Sequence, residues 1–74
     1  MNRLNISREI VEQLRTAFPA GTRVELVKMD DAQAPPVGTK GTVRMVDDIG
    51  SICVSWDNGS SLHVIYDVDV CRKI

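Results

Sequence analysis

One change of hydrophobic period, at Pro19 and Gly21, constrains this chain more than any other feature. Before it, SREIVEQLRTAF (7–18) places Ile10, Val11, Leu14, Ala17 and Phe18 at three-to-four-residue spacing, the mark of one apolar helical stripe. Ser7 is placed to cap the first turn and Glu9 suits the positive helix N-terminus. Pro19 and Gly21 end the pattern. About three helical turns are marginal alone in water, so this helix is expected to dock on the remaining chain or on a second copy.

From Thr22 onward the period is two. TRVELVKM (22–29) reads as a strand in which Val24 and Leu26 share one face and Val27 and Met29 the other. Such an exchange needs one inserted residue, so a bulge is expected near Leu26 and Val27. DDAQAPPVGT (30–39) is a long loop, because Pro35 and Pro36 do not fit a central strand. KGTVRMV (40–46) is a second strand, with Val43 and Met45 on one face. A turn over 47–50 leads to SICVSW (51–56), with Ile52, Val54 and Trp56 inward and Cys53 and Ser55 outward. Asp57, Asn58 and Gly59 signal a hairpin with a primed turn. SLHVIY (61–66) returns with Leu62, Val64 and Tyr66 on one face and His63 and Ile65 on the other. After a tight turn at 67–69, VCRK (70–73) is the last strand.

The reading is mainly β with one N-terminal helix, an α+β chain built on a five-stranded SH3-like small barrel. Residues 1–18 form a helical appendage and 19–74 the barrel, within a single domain. The alternative five-stranded OB barrel lacks room for its usual helix between the third and fourth strands.

Several function classes are excluded by composition. With 74 residues, the chain buries only roughly 60–65% of its unfolded surface, leaving little for a deep cleft. Nine basic and ten acidic residues give a formal charge of -1, not the basic excess of a general phosphate binder. No apolar run reaches the ~20 residues of a membrane span, and the N-terminus is too charged for a secretory signal. A cytoplasmic location is expected. Cys53 and Cys71 fit reduced thiols better than a disulfide framework. With one His and no Cys-x-x-Cys pair, a tetrahedral zinc site lacks ligands, so no metal and no cofactor is expected.

The segments PAGTRVELVKMDD, APPVGTKGTV, VDDIGSICVSWDNGSSLHVIYDVD and CRKI resemble a bacterial and phage family of unknown function, domain-of-unknown-function family 4314. WDNGSSL following VDDIG is the specific signature. The resemblance implies the small β fold and an origin in phages or mobile elements, and it assigns no activity. Where the family favours Gly in the turn after IY, this chain has Asp67, which is less permissive of positive φ.

Candidate surfaces follow from the turns. Asp30, Asp31, Asp47 and Asp48, with Met29, Trp56 and Tyr66, are the expected partner-binding residues. Acidic loops at one end of a barrel suit Arg or Lys on a partner, or a hard cation such as calcium or magnesium, although Asp is also simply a favoured turn residue and no EF-hand spacing is present. Trp56 alternatively belongs to the core. A second reading is a ribosome- or nucleic-acid-associated barrel. GTKGTV (38–43) is similar to the KOW type of small barrel, and Lys40, Arg44, Arg72 and Lys73 would meet phosphates. Six basic against eight acidic residues over 19–74 disfavour that reading. A third is a small-molecule or nucleotide-binding oligomer. Catalysis is not expected: His63 has no evident orienting partner, and neither cysteine sits in an electropositive turn. The leading expectation is a non-enzymatic binding module for an unknown protein partner. A homodimer is also expected, if the helix stripe exceeds what one small barrel covers.

Overall fold

The computed structural model describes residues 7–74. Helix α1 (Arg8–Ala17) starts on Ser7, whose hydroxyl accepts from the Ile10 N–H at 3.1 Å. It ends as the Phe18 N–H reaches the Leu14 carbonyl. Its apolar stripe lies on the chain's own sheet: Val11 is buried, and Leu14 and Phe18 pack against the core. Of the two expected arrangements, docking on the remaining chain is present. No helix among the described residues is long and apolar enough to cross a membrane.

Five strands follow, β1 (Arg23–Lys28), β2 (Lys40–Val46), β3 (Ser51–Trp56), β4 (Val64–Ile65) and β5 (Val70–Lys73). They form one antiparallel sheet in the order β4-β3-β2-β1-β5. The two edge strands are consecutive in sequence and joined by a turn at 66–69, where the Val68 and Asp69 N–H groups both donate to the Ile65 carbonyl. Joining opposite edges through so short a link requires the sheet to curl. Among the described residues, however, the ladder stays open between β4 and β5, so the α+β, five-stranded architecture stands without closure into a barrel.

The core is Val24, Leu26, Val43, Val46, Ile52, Val54, Trp56 and Val64, contributed by β1 to β4. The bulge expected in β1 is present, as a register shift between Leu26 and Lys28. A second shift, between Val43 and Met45, was not expected. It exchanges faces in β2, so Val46 is buried while Met45 is 52% exposed. Strict alternation pairs Val43 with Met45, and the extra residue at Arg44 reverses that assignment.

Both tight hairpins use one device, a three-residue loop closed by a left-handed glycine. In the first, Gly50 (φ 79°) donates to the Asp47 carbonyl and the Asp47 N–H donates to Ser51. In the second, Gly59 (φ 95°) donates to Trp56, whose N–H donates to Ser60. Asn58 does not have positive φ, so the primed turn expected there is replaced by this bulged form. The expected 61–66 strand is also shorter, only Val64–Ile65. The reason lies in the core: Trp56 Nε1 donates to the Leu62 carbonyl at 2.9 Å, which diverts that backbone from the ladder.

Asp67 is the one non-glycine residue with positive φ among the described residues, at 65°. Aspartate tolerates this region better than most residues, but glycine occupies it without the Cβ clash. Asp67→Gly is expected to raise the urea midpoint, a gain of ~0.5–1 kcal/mol, and Asp67→Val to lower it. A fall in midpoint for the glycine variant would show that the turn carries no backbone strain.

Candidate functional site

The acidic pairs come from two separate connections. Asp30 and Asp31 lie in the loop that enters β2, and Asp47 and Asp48 in the turn that leaves it. Most of these carboxylates are engaged locally. Asp31 Oδ1 accepts from the Gln33 N–H, and Asp47 Oδ1 from Ile49 and Ser51. Asp48 meets Arg15 at 2.7 Å, while Arg15 Nε donates to the Val46 carbonyl, tying α1 to the end of β2.

The apolar candidates separate as well. Trp56 is 3% exposed, with its indole N–H satisfied internally, so it is a core residue and offers no partner surface. Met29 is half-buried against that core. Tyr66 alone of the three is exposed, at 40%.

Two of the four basic candidates are engaged within the chain. Arg72 pairs with Glu25 at 2.7 Å, and Lys73 Nζ lies 5.8 Å from the centre of the Phe18 ring. Lys40 and Arg44 are exposed at opposite halves of β2. Arg23 grips Asp57 through two hydrogen bonds of 2.9 and 2.7 Å and also donates to Thr42. Among these cations, Arg23, Arg72 and Lys73 have partners within the chain, which leaves Lys40 and Arg44 as the exposed candidates for a phosphate.

The Arg23–Asp57 pair carries a pH signature. Hydrogen bonding from Arg23, joined by its charge and that of Lys40, outweighs desolvation and holds the Asp57 carboxyl below its ordinary range. Because the folded pKa is the lower one, the pair stabilises the fold above the unfolded pKa of about 4. That contribution is lost as pH falls through the folded value. Urea melts at descending pH should show wild type and Asp57→Asn converging in acid. A gap that stays constant with pH would show that the pair's charge has no part in stability.

Two sites remain. The first is a groove of about 330 Å³ between α1 and the turn at 66–69. Leu14, Phe18, Ile52 and Val64 supply its apolar walls. Tyr66, Val68 and Val70 stand at its mouth, each at least 40% exposed, beside Asp67, Asp69 and Lys28. Asp69 is partly committed, since its Oδ2 accepts from the Ile65 N–H at 2.9 Å. Cys71 borders the same groove, and burial pushes its thiol up to about 11, which disfavours the thiolate. Sequence reasoning missed the groove because its lining comes from the helix, four separate strands and the turn at 66–69.

The second is a triangle of Asp47, Cys53 and His63, whose donor atoms all lie within 4.8 Å of one another. Cys53 Sγ is 3.7 Å from His63 Nδ1. The register explains the meeting. Ile52 pairs with Val64, so Cys53 and His63 are the next residues across β3 and the chain entering β4. Asp47 begins the turn that returns to β3 at Ser51, two residues before Cys53. Sequence parity placed Cys53 and His63 outward, and a hairpin centred on Asn58 pairs them. The signal was therefore present, but a search by linear ligand spacing does not see it. The triangle is unlike a nucleophile relay, in which the imidazole separates thiol from carboxylate. Here desolvation, followed by Asp47, raises the Cys53 thiol pKa against the opposing Arg44 charge, which works against a free thiolate.

A family described as Domain of unknown function (DUF4314) matches residues 7–74, and the chain belongs to that family. No curated protein matches the chain, and no solved structure matches it.

Proposed function

We propose that this member of the DUF4314 family is a non-enzymatic interaction module that receives a protein segment in the groove between α1 and the turn at 66–69. The observation that carries this reading is an exposed apolar mouth, Tyr66, Val68 and Val70, over apolar walls that are already formed. Groove size suits one or two apolar side chains, each contributing ~1.5–3 kcal/mol when buried. Asp67 and Asp69 outnumber Lys28 at the rim, so the preferred occupant is an apolar anchor next to Lys or Arg. The acidic-partner logic read from the sequence thus moves from Asp47 and Asp48 to the turn before β5. The acidic excess over 19–74, eight acidic against six basic residues, disfavours the nucleic-acid alternative.

A random-peptide display library panned on the folded chain tests this. Enrichment of an apolar-basic motif is expected. Val68→Asp should abolish its binding, and Asp67→Lys should weaken it about ten-fold or more. Failure to enrich any motif, or an enriched peptide that binds both variants as it binds wild type, would overturn the reading.

A further inference from the structure

We propose that Asp47, Cys53 and His63 form a binding site for a single borderline-soft divalent cation, zinc foremost, on the outer side of the sheet where β2, β3 and β4 meet. The donor set is one thiolate, one imidazole and one carboxylate, the mixture that suits zinc and not the all-oxygen shells of calcium or magnesium. The distance supports a shared ion. Zinc held at ~2.3 Å from sulfur and ~2.0–2.1 Å from nitrogen in a tetrahedron requires these atoms about 3.6 Å apart. Cys53 Sγ and His63 Nδ1 are 3.7 Å apart. The carboxylate is within 4.8 Å of both, so drawing it in takes a movement of about 1 Å.

The three donors are held by the fold. Asp47 is oriented through Oδ1, which accepts from the Ile49 and Ser51 N–H groups at 3.1 and 2.8 Å. Its Oδ2 has no hydrogen-bond partner among the described residues and is the oxygen available to a cation. Backbone N–H bonds to a ligating carboxylate are the outer-shell support such sites use. Cys53 sits mid-strand between the buried Ile52 and Val54, and His63 directly precedes the buried Val64. His63 is exposed while Asp47 and Cys53 are half-buried, so an ion reaches the donors from solvent. Coordination releases the Cys53 thiol proton to solvent. Thiolate and carboxylate then balance the two positive charges of the ion, with Arg44 the nearby cation. Three protein ligands leave a fourth position to water, an open arrangement unlike a closed four-ligand structural site.

The test uses the reduced, chelator-treated 74-residue chain. Zinc is titrated against a chromophoric chelator, and cobalt(II) serves as the spectroscopic probe. One zinc per chain is expected, with a thiolate-to-cobalt charge-transfer band. Cys53→Ser should lose that band and bind zinc at least ten-fold more weakly. His63→Ala, at an exposed position that does not threaten folding, should weaken zinc by a similar factor. Cys71→Ser should bind as wild type. No competition with the chelator, undiminished binding by Cys53→Ser, loss of binding by Cys71→Ser, or one metal per two chains would each overturn the proposal.

Discussion

Gly41→Ala is expected to destabilise the domain by ~2–3 kcal/mol, a large share of the ~4–11 kcal/mol that holds a chain of this size together. Gly41 is buried in β2 and pairs with Trp56. A Cβ there would lie 2.6 Å from Val54 Cγ1, 2.8 Å from Trp56 Cε3 and 2.9 Å from the Ser55 carbonyl oxygen. None of the three yields cheaply. The valine and tryptophan are fixed in the core, and the oxygen is backbone within the ladder. The stiffer unfolded chain of alanine offsets only ~0.4–1 kcal/mol of this. The check is a lower urea midpoint with unchanged slope. Combining Gly41→Ala with Val54→Ala should cost less than the two single changes added, because the second removes one of the clashes. Strict additivity, or a Gly41→Ala variant as stable as wild type, would contradict the close approach.

Trp56→Ala should be more damaging, at ~3–5 kcal/mol, enough to leave much of the chain unfolded at ambient temperature. The ring fills the end of the core and its N–H holds the Leu62 carbonyl, so removal opens a cavity and frees the 60–63 segment. Trp56→Phe separates the two effects. It keeps most of the apolar volume and loses the hydrogen bond, leaving a carbonyl without its donor, for ~1–3 kcal/mol. Amide exchange around Leu62 and His63 should quicken in the phenylalanine variant before global stability falls far. Uniform protection there would mean that packing alone positions the segment. The same variant bears on the proposed metal site, since His63 follows the tethered residue directly.

These two positions show different degrees of legibility. The inward parity of Ile52, Val54 and Trp56 makes Trp56 a core candidate from sequence, and the structure buries it. Gly41 reads from sequence only as a glycine near the start of the second strand, yet its role is spatial: its neighbours come from β3, and no local pattern announces them. Arg44 is a third case. Val43, Met45 and Val46 are all acceptable core residues, so composition is indifferent to which of Met45 and Val46 faces inward. A one-residue shift against β3 decides it. Asp67 lies between these extremes: a tight turn over 67–69 is legible in the sequence, and only the backbone shows that φ is positive there.

The sequence by itself determined the elements whose causes are local. The stripe from Ile10 to Phe18 with its Ser7 cap, the break at Pro19 and the turn glycines at 50 and 59 all rest on contacts within a few residues. Tertiary structure decided what depends on partners distant in the chain. The curl that joins β4 to β5, the face exchange at Arg44, the groove beneath Tyr66 and the meeting of Asp47, Cys53 and His63 are set by strand register. Register is a property of pairs of segments, and an amino-acid pattern read along one strand carries only half of it.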